Sequence, residues 1–194
     1  MAVLCAALLS ACASKGAPPT LYDFGPLATS PAAPASATAL APLAMADATG
    51  PGWLDNERMY YRLLYADAQQ ARPYAQNRWN APPLQLLTQR LKARMAGAGV
   101  QVLSASDATV GVDLLRIEVD EFSQNFTSVE QSSGQLALRA SLMRGHRLIA
   151  QKAFTGSAAA TSADAPGGVR ALAAASDTVA ADILAWLATV PRPQ

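Results

Sequence analysis

Two cysteines, one histidine and a short acidic run are the side chains most able to do chemistry here. Both cysteines fall in the opening Met1-Ala2-Val3-Leu4-Cys5-Ala6-Ala7-Leu8-Leu9-Ser10-Ala11-Cys12. The stretch to Leu9 is apolar and uncharged. It is too short to span a bilayer and suits the hydrophobic part of a secretory signal. Leu9-Ser10-Ala11-Cys12 has the form of a lipobox. Its small residues let the chain enter a peptidase cleft extended, and the Cys12 thiol is a nucleophile that can accept a diacylglyceryl group. The competing interpretation is a buried helix with an incidental cysteine. The change to an Ala/Pro/Ser-rich stretch directly after Cys12 argues against it. No Lys or Arg precedes Cys12, unlike an ordinary signal, and a start placed too late is the expected reason.

Residues 1–11 are therefore expected to be a signal peptide, and 12–20 a lipidated tether. Ala13 and Ser14 follow Cys12 where Asp would favour retention, so the periplasmic face of the outer membrane is expected over the inner membrane. Two or three acyl chains at about 0.8 kcal/mol per buried methylene make a lasting anchor. That covalent lipid on Cys12 is the expected prosthetic group, with no other cofactor.

The other reactive candidates are weak. His146 lies in Arg144-Gly145-His146-Arg147, a predicted turn. With no second histidine and no cysteine after Cys12, a zinc site is not expected. A catalytic triad would need His146 on a rigid element beside a nucleophile, and no nucleophile-elbow motif is present. Glu118, Asp120 and Glu121 could be imagined as a carboxylate pair, but neighbouring carboxylates on a strand mostly face water. No catalytic residue and no metal ligand is assigned, and the chain is not expected to be an enzyme. Fifteen basic against fourteen acidic residues, with no basic stripe, argue against nucleic acid. A mature chain without a disulfide must be stable by burial alone.

The positioning elements follow from periodicity. Thr20 to Phe24 reads as a strand stopped by Gly25-Pro26, and about 27–39 as a mobile Ala/Pro-rich loop. Leu40 to Ala48 reads as a strand weakened by Pro42, Gly50-Pro51-Gly52 as a turn, and Glu57 to Tyr65 as an aromatic strand with Ala71 to Tyr74 as its hairpin partner. Asn80-Ala81-Pro82-Pro83 opens a helix whose Leu84, Leu87, Leu91 and Met95 share one face. Gly97-Ala98-Gly99 ends it. These glycines follow the helix rather than precede it, so a C-cap is expected and not a phosphate loop. Val100 to Leu103 is a strand. Val112 to Phe122, Gln135 to Met143 and Leu148 to Phe154 form an antiparallel meander, with Leu115, Ile117, Val119, Leu136, Leu138, Ala140 and Leu142 inward. A last helix from about Asp164 carries a stripe of Val169, Leu172, Ser176, Val179, Ile183 and Leu187. The expected fold is a single α+β domain over 21–190, a mostly antiparallel sheet of five or more strands with two main helices packed on it.

The densest recognition chemistry is Tyr60, Tyr61, Arg62, Tyr65, Tyr74, Arg78 and Trp79. Tyr, Trp and Arg combine large contact area with a polar handle and are enriched in interfaces. Core packing claims some of them, because a strand alternates. Tyr61 and Tyr65 are expected on one face, with Tyr60 and Arg62 on the other.

A family resemblance emerges from the order of several motifs. They are Tyr22-Asp23-Phe24-Gly25-Pro26 soon after the lipobox, Met59-Tyr60-Tyr61-Arg62, and Tyr74 followed by Arg78-Trp79 and Pro82-Pro83. The strand from Leu115 to Phe122 with Phe126, and the Ala-rich final helix ending at Trp186, complete it. Together they resemble the ABC-type transport auxiliary lipoproteins of the paraquat-inducible protein C type. That resemblance implies partnership with a periplasmic MCE-domain protein and an ABC permease complex that moves lipids or other hydrophobic compounds across the envelope. It implies a docking or assembly role, with a homo-oligomeric ring as one arrangement. A periplasmic carrier of a lipid or hydrophobic ligand, and a purely structural envelope lipoprotein, are the alternatives. A cavity between the Leu115 and Leu138 strands would favour the carrier. A filled core with exposed Tyr and Trp would favour docking.

Overall fold

The computed structural model describes residues 17–27, 40–107 and 111–191. Cys5, Cys12, the signal and positions 28–39 of the predicted loop lie outside them. The framework is three long strands, β6 (Asp113–Phe126), β7 (Ser132–Arg144) and β8 (Arg147–Ala159), paired antiparallel in order. Strict alternation on β7 buries Ser132, Gly134, Leu136, Leu138, Ala140 and Leu142 and leaves the intervening residues half-exposed. On β6 the alternation breaks. A register shift between Val119 and Glu121 inserts one extra residue. Parity therefore reverses, Phe122, Gln124 and Phe126 turn inward, and Glu121 meets Arg62 rather than sharing the inward face of Leu115.

Helix α2 (Ala165–Thr189) covers the inward face. Asp164 caps it, its Oδ1 accepting from Gly167 N–H at 2.8 Å, and Pro166 sits in the first turn where no N–H is missed. The predicted stripe Val169, Leu172, Ser176, Val179, Ile183 and Leu187 is buried, and Ser176 satisfies its hydroxyl on Leu172 O at 2.7 Å. Two strand glycines let the helix approach. A Cβ at Gly134 would fall 2.5 Å from Leu172 N, and one at Gly156 would fall 2.7 Å from Ala175 O. By length and composition α2 could cross a membrane, but its apolar stripe is committed to the sheet.

The remaining strands are β1 (Thr20–Tyr22), β2 (Leu43–Met45), β3 (Arg58–Leu63), β4 (Asp67–Trp79) and β5 (Val102–Ser104), with a 3-10 turn at Gly52–Leu54. Helix α1 (Pro83–Gly97) buries Leu84, Leu87, Leu91 and Met95 and packs on α2. The fold is α+β, as expected, with an eight-stranded sheet. The expectation of a mostly antiparallel sheet holds for the long ladders only, and the sheet as a whole is mixed. The long ladders β3–β4, β6–β7 and β7–β8 are antiparallel, but β1–β4, β2–β5, β2–β6 and β3–β6 are parallel. Two segments lie one after the other along one edge of β6 and run in its direction. There β2 pairs with Asp113–Leu115 and β3 with Gln124–Phe126. Period-two patterning marks a strand and is silent about its partner's direction. The hairpin partner of β3 is also longer than expected, because β4 absorbs two register shifts.

Candidate functional site

Two constructions stand out. The first is a strap formed by Asp23-Phe24-Gly25-Pro26. Asp23 Oδ1 accepts from Gly25 N–H at 2.7 Å and its Oδ2 accepts from Asn80 Nδ2 at 3.1 Å. Gly25 takes φ of 64°, a left-handed turn that glycine adopts without Cβ strain. The turn drives Phe24 into the core, edge-on to Trp79 at 5.4 Å and to Phe122 at 5.9 Å between centroids.

Arg90 of α1 locks the strap. Its Nη1 donates to Phe24 O at 3.2 Å and Gly25 O at 3.1 Å, and its guanidinium lies over the Phe24 ring. Nε and Nη2 grip Asp177 of α2 in a two-pronged pair at 2.7 and 2.8 Å. Arg94 binds the same carboxylate. Burial works to raise the Asp177 pKa, but the hydrogen bonds and charges of Arg90 and Arg94 outweigh it and hold it below the usual carboxylate value. Clefts of about 490 and 460 Å³ open on either side of the strap, against α1 and against α2. The arrangement fixes the N-terminal segment mechanically to both helices. Sequence reasoning singled out Tyr22 to Pro26 as a motif but missed Arg90 and Asp177, which lie 87 residues apart. The Asp-x-Gly spacing of an Asx turn was the available signal for the strap itself.

The second construction is the β3–β4 hairpin, which separates the seven predicted contact residues. Trp79 is 1% exposed and belongs to the core beneath the strap, so its surface is closed to any partner in this fold. Tyr61 meets Tyr74 at a tilt, 4.7 Å between centroids, and lies edge-on to Phe126. The Tyr74 hydroxyl donates to Gln124 Oε1 at 2.9 Å. Gln124 Nε2 donates in turn to Ser132 Oγ and to Asp164 O, closing a buried polar network under the α2 N-terminus. Burial, then the nearby Tyr61 and Asp164, push the Tyr74 hydroxyl above its ordinary pKa. Tyr60 and Arg62 alternate to the opposite, helix-free face. There Tyr60 meets Trp53 at 5.2 Å and Arg62 lies 3.6 Å from Glu121. Arg62 Nη1 also reaches the carbonyls of Ala68 and Gln69. Arg78 is half-buried, across from Arg58. Tyr65 is not on the strand with Tyr61. It lies past the end of β3, in the turn, and is exposed.

The reactive candidates do not converge. His146 is exposed in the β7–β8 turn. Glu118 pairs with Arg139 at 3.0 Å, and Glu121 with Arg62. Among the described residues no group of three or more His, Cys, Asp or Glu side chains could hold a metal ion.

This α+β architecture recurs in solved structures. A crystal structure of protein XCC0632 from Xanthomonas campestris superposes with a TM-score of 0.72 at 18% identity, covering 88% of this chain and 96% of that one. The structure of an uncharacterised protein gives 0.67 at 16%, covering 88% and 99%. No curated protein matches the sequence. The family model for the ABC-type transport auxiliary lipoprotein component matches residues 22–184, and the chain belongs to that family. It is thus a lipoprotein of a transport-associated family, which places it at a membrane of the cell envelope.

Proposed function

We propose that this chain is a docking or assembly module of an MCE-type ABC transport system that moves lipids or other hydrophobic compounds across the envelope. Cys12 carries the lipid, and the outer membrane holds the anchor. The partner is a periplasmic MCE-domain protein with its permease complex. The observation that carries this reading is the filled interface between the meander and α2. Leu115, Leu138, Leu142, Val179 and Ile183 are at most 1% exposed, so the faces that would line a carrier's cavity are packed against a helix. Side chains suited to recognition, Tyr60 and Arg62, stand half-buried on the strand face opposite Tyr61, where Tyr60 meets a Trp53 that itself packs against the core.

The test is a pull-down from envelope extract with the full chain and with Tyr60→Ala and Arg62→Ala. The wild type is expected to recover MCE and permease components. If Tyr60 is a hot spot, its truncation costs about 2 kcal/mol or more in binding. Recovery of no transport component by the wild type rejects the docking role. Equal recovery by both variants keeps the role and moves the surface.

A further inference from the structure

Three chain reversals meet at one end of the sheet. The turn after β3 carries Leu64 and Tyr65, and the turn after β6 carries Val129. Leu64 N–H donates to Phe126 O at 2.9 Å, so the two turns sit side by side. Ala160 N–H donates to Ser132 O at 2.8 Å and brings the chain before α2 to the same end. Leu64, Tyr65 and Val129 are 41, 49 and 73% exposed. Single exposed apolar side chains are ordinary, but three on adjacent turns at one tip form a group. The far end differs. There Leu148 stands alone beside Arg144, His146 and Arg147.

The direction of β1 selects between the two ends. β1 runs parallel to β4, and β4 starts at the apolar tip, so the residues before Thr20 approach from the tip side. Thr20 pairs with Asn77, one residue before the Arg78 that faces Arg58. From Arg58 to Leu63 is five strand steps, about 17 Å. The eight residue steps from Cys12 to Thr20 reach at most about 26–29 Å. The tether therefore spans the distance to the tip with length to spare. In the other direction Arg58 lies level with about Glu121, since Tyr61 pairs with Gln124. Asp113 is eight steps further, about 26 Å, and the β7–β8 turn lies beyond it. The tether would have to reverse and would still fall short.

We propose that the tip rests on the bilayer that holds the anchor, with Leu64, Tyr65 and Val129 entering the interfacial zone of a phospholipid surface. A tyrosine with an apolar ring and a wet hydroxyl suits that zone. Asp67 and Glu130 flank the tip and oppose an anionic surface, so the matching lipid is zwitterionic. The end with Arg144, His146 and Arg147 then points away from the membrane. Of the seven predicted contact residues, Tyr65 becomes a membrane contact rather than a partner contact. The inference rests on the proposed anchor at Cys12 and not on the identity of the partner.

The test uses the lipidated full chain in phosphatidylcholine–phosphatidylethanolamine vesicles. Tyr65→Cys, Val129→Cys and His146→Cys are each labelled with an environment-sensitive fluorophore, the acylated Cys12 being unreactive. Emission at 65 and 129 is expected to shift to the blue and to be quenched by nitroxide lipid several-fold more than at 146. Adding Leu64→Asp should reduce the quenching at 65 while thermal melting confirms the fold. Solvent-like emission at all three positions, or strongest quenching at 146, overturns the orientation. Failure of the chain to associate with vesicles overturns the anchor beneath it. An unquenched tip with intact partner recovery rejects this inference alone, whereas a quenched tip with no recovery rejects the docking role alone.

Discussion

The seam between α2 and the meander and the clamp that joins α1, α2 and the strap are held by different physics. Helix α2 meets the meander through a dry seam in which Leu136, Leu138 and Leu142 pack against Leu172, Ala175, Val179 and Ile183. Helix α1 also buries Leu87, Leu91 and Met95, but it grips α2 and the strap through charged groups, with Arg90 and Arg94 on Asp177 and Arg90 on the carbonyls of Phe24 and Gly25. Apolar burial is non-directional and indifferent to pH. A guanidinium–carboxylate clamp is directional and exists only while the carboxylate is charged. The strap is thus joined to the helices by contacts whose strength depends on ionisation.

The largest effect is expected at the dry seam. Gly134→Ala places a Cβ against the α2 backbone, where no side chain can swing aside, and should cost about 3 kcal/mol. Denaturant unfolding measures it, and a loss below about 1 kcal/mol would show a slack seam and dissolve the contrast.

An intermediate effect is expected at the clamp. Asp177→Asn leaves two guanidiniums without their carboxylate and should cost about 2 kcal/mol near neutral pH. Because the folded-state pKa of Asp177 lies below its unfolded value, its contribution is complete above about pH 4 and is lost as pH falls through the folded-state value. The wild type should therefore lose stability on acidification below about pH 4 faster than the variant, and the two should converge. Asp164 is lowered too, by Ser162, Gly167 and Arg170, so the variant keeps some acid sensitivity. Parallel pH profiles would remove Asp177 from the account.

The smallest effect concerns the strap turn. Nothing lies within 4 Å of a Cβ at Gly25, so Gly25→Ala meets only the left-handed backbone penalty, about 1 kcal/mol. A much larger loss in thermal melting would mean that the strap, and not the seam, governs global stability.

Much of the fold was readable from periodicity. The α2 stripe, the α1 face and the inward residues of β7 lie where a 3.6-residue or two-residue repeat puts them, because each element buries one continuous face. Where the repeat is interrupted, periodicity alone does not carry the reading further. The bulge on β6 reversed the parity of Glu121 and Phe122, and no local signal announces an extra residue in a ladder. The aromatic cluster at 60–79 was visible as a composition, but its division into core and surface was not. Trp79 went inside because the strap brought Phe24 against it from 55 residues away.

By itself the sequence determined the order of the elements, their apolar faces and the family, since these depend on residue types and near-neighbour spacing. Only the tertiary structure decided which strands run parallel, that Arg90 and Asp177 close on the strap, and that Leu64, Tyr65 and Val129 share one tip. These are encounters between residues 57 to 87 positions apart, or between the ends of neighbouring strands. They are fixed by which faces can be buried together, a condition on the whole chain that no short stretch of it contains.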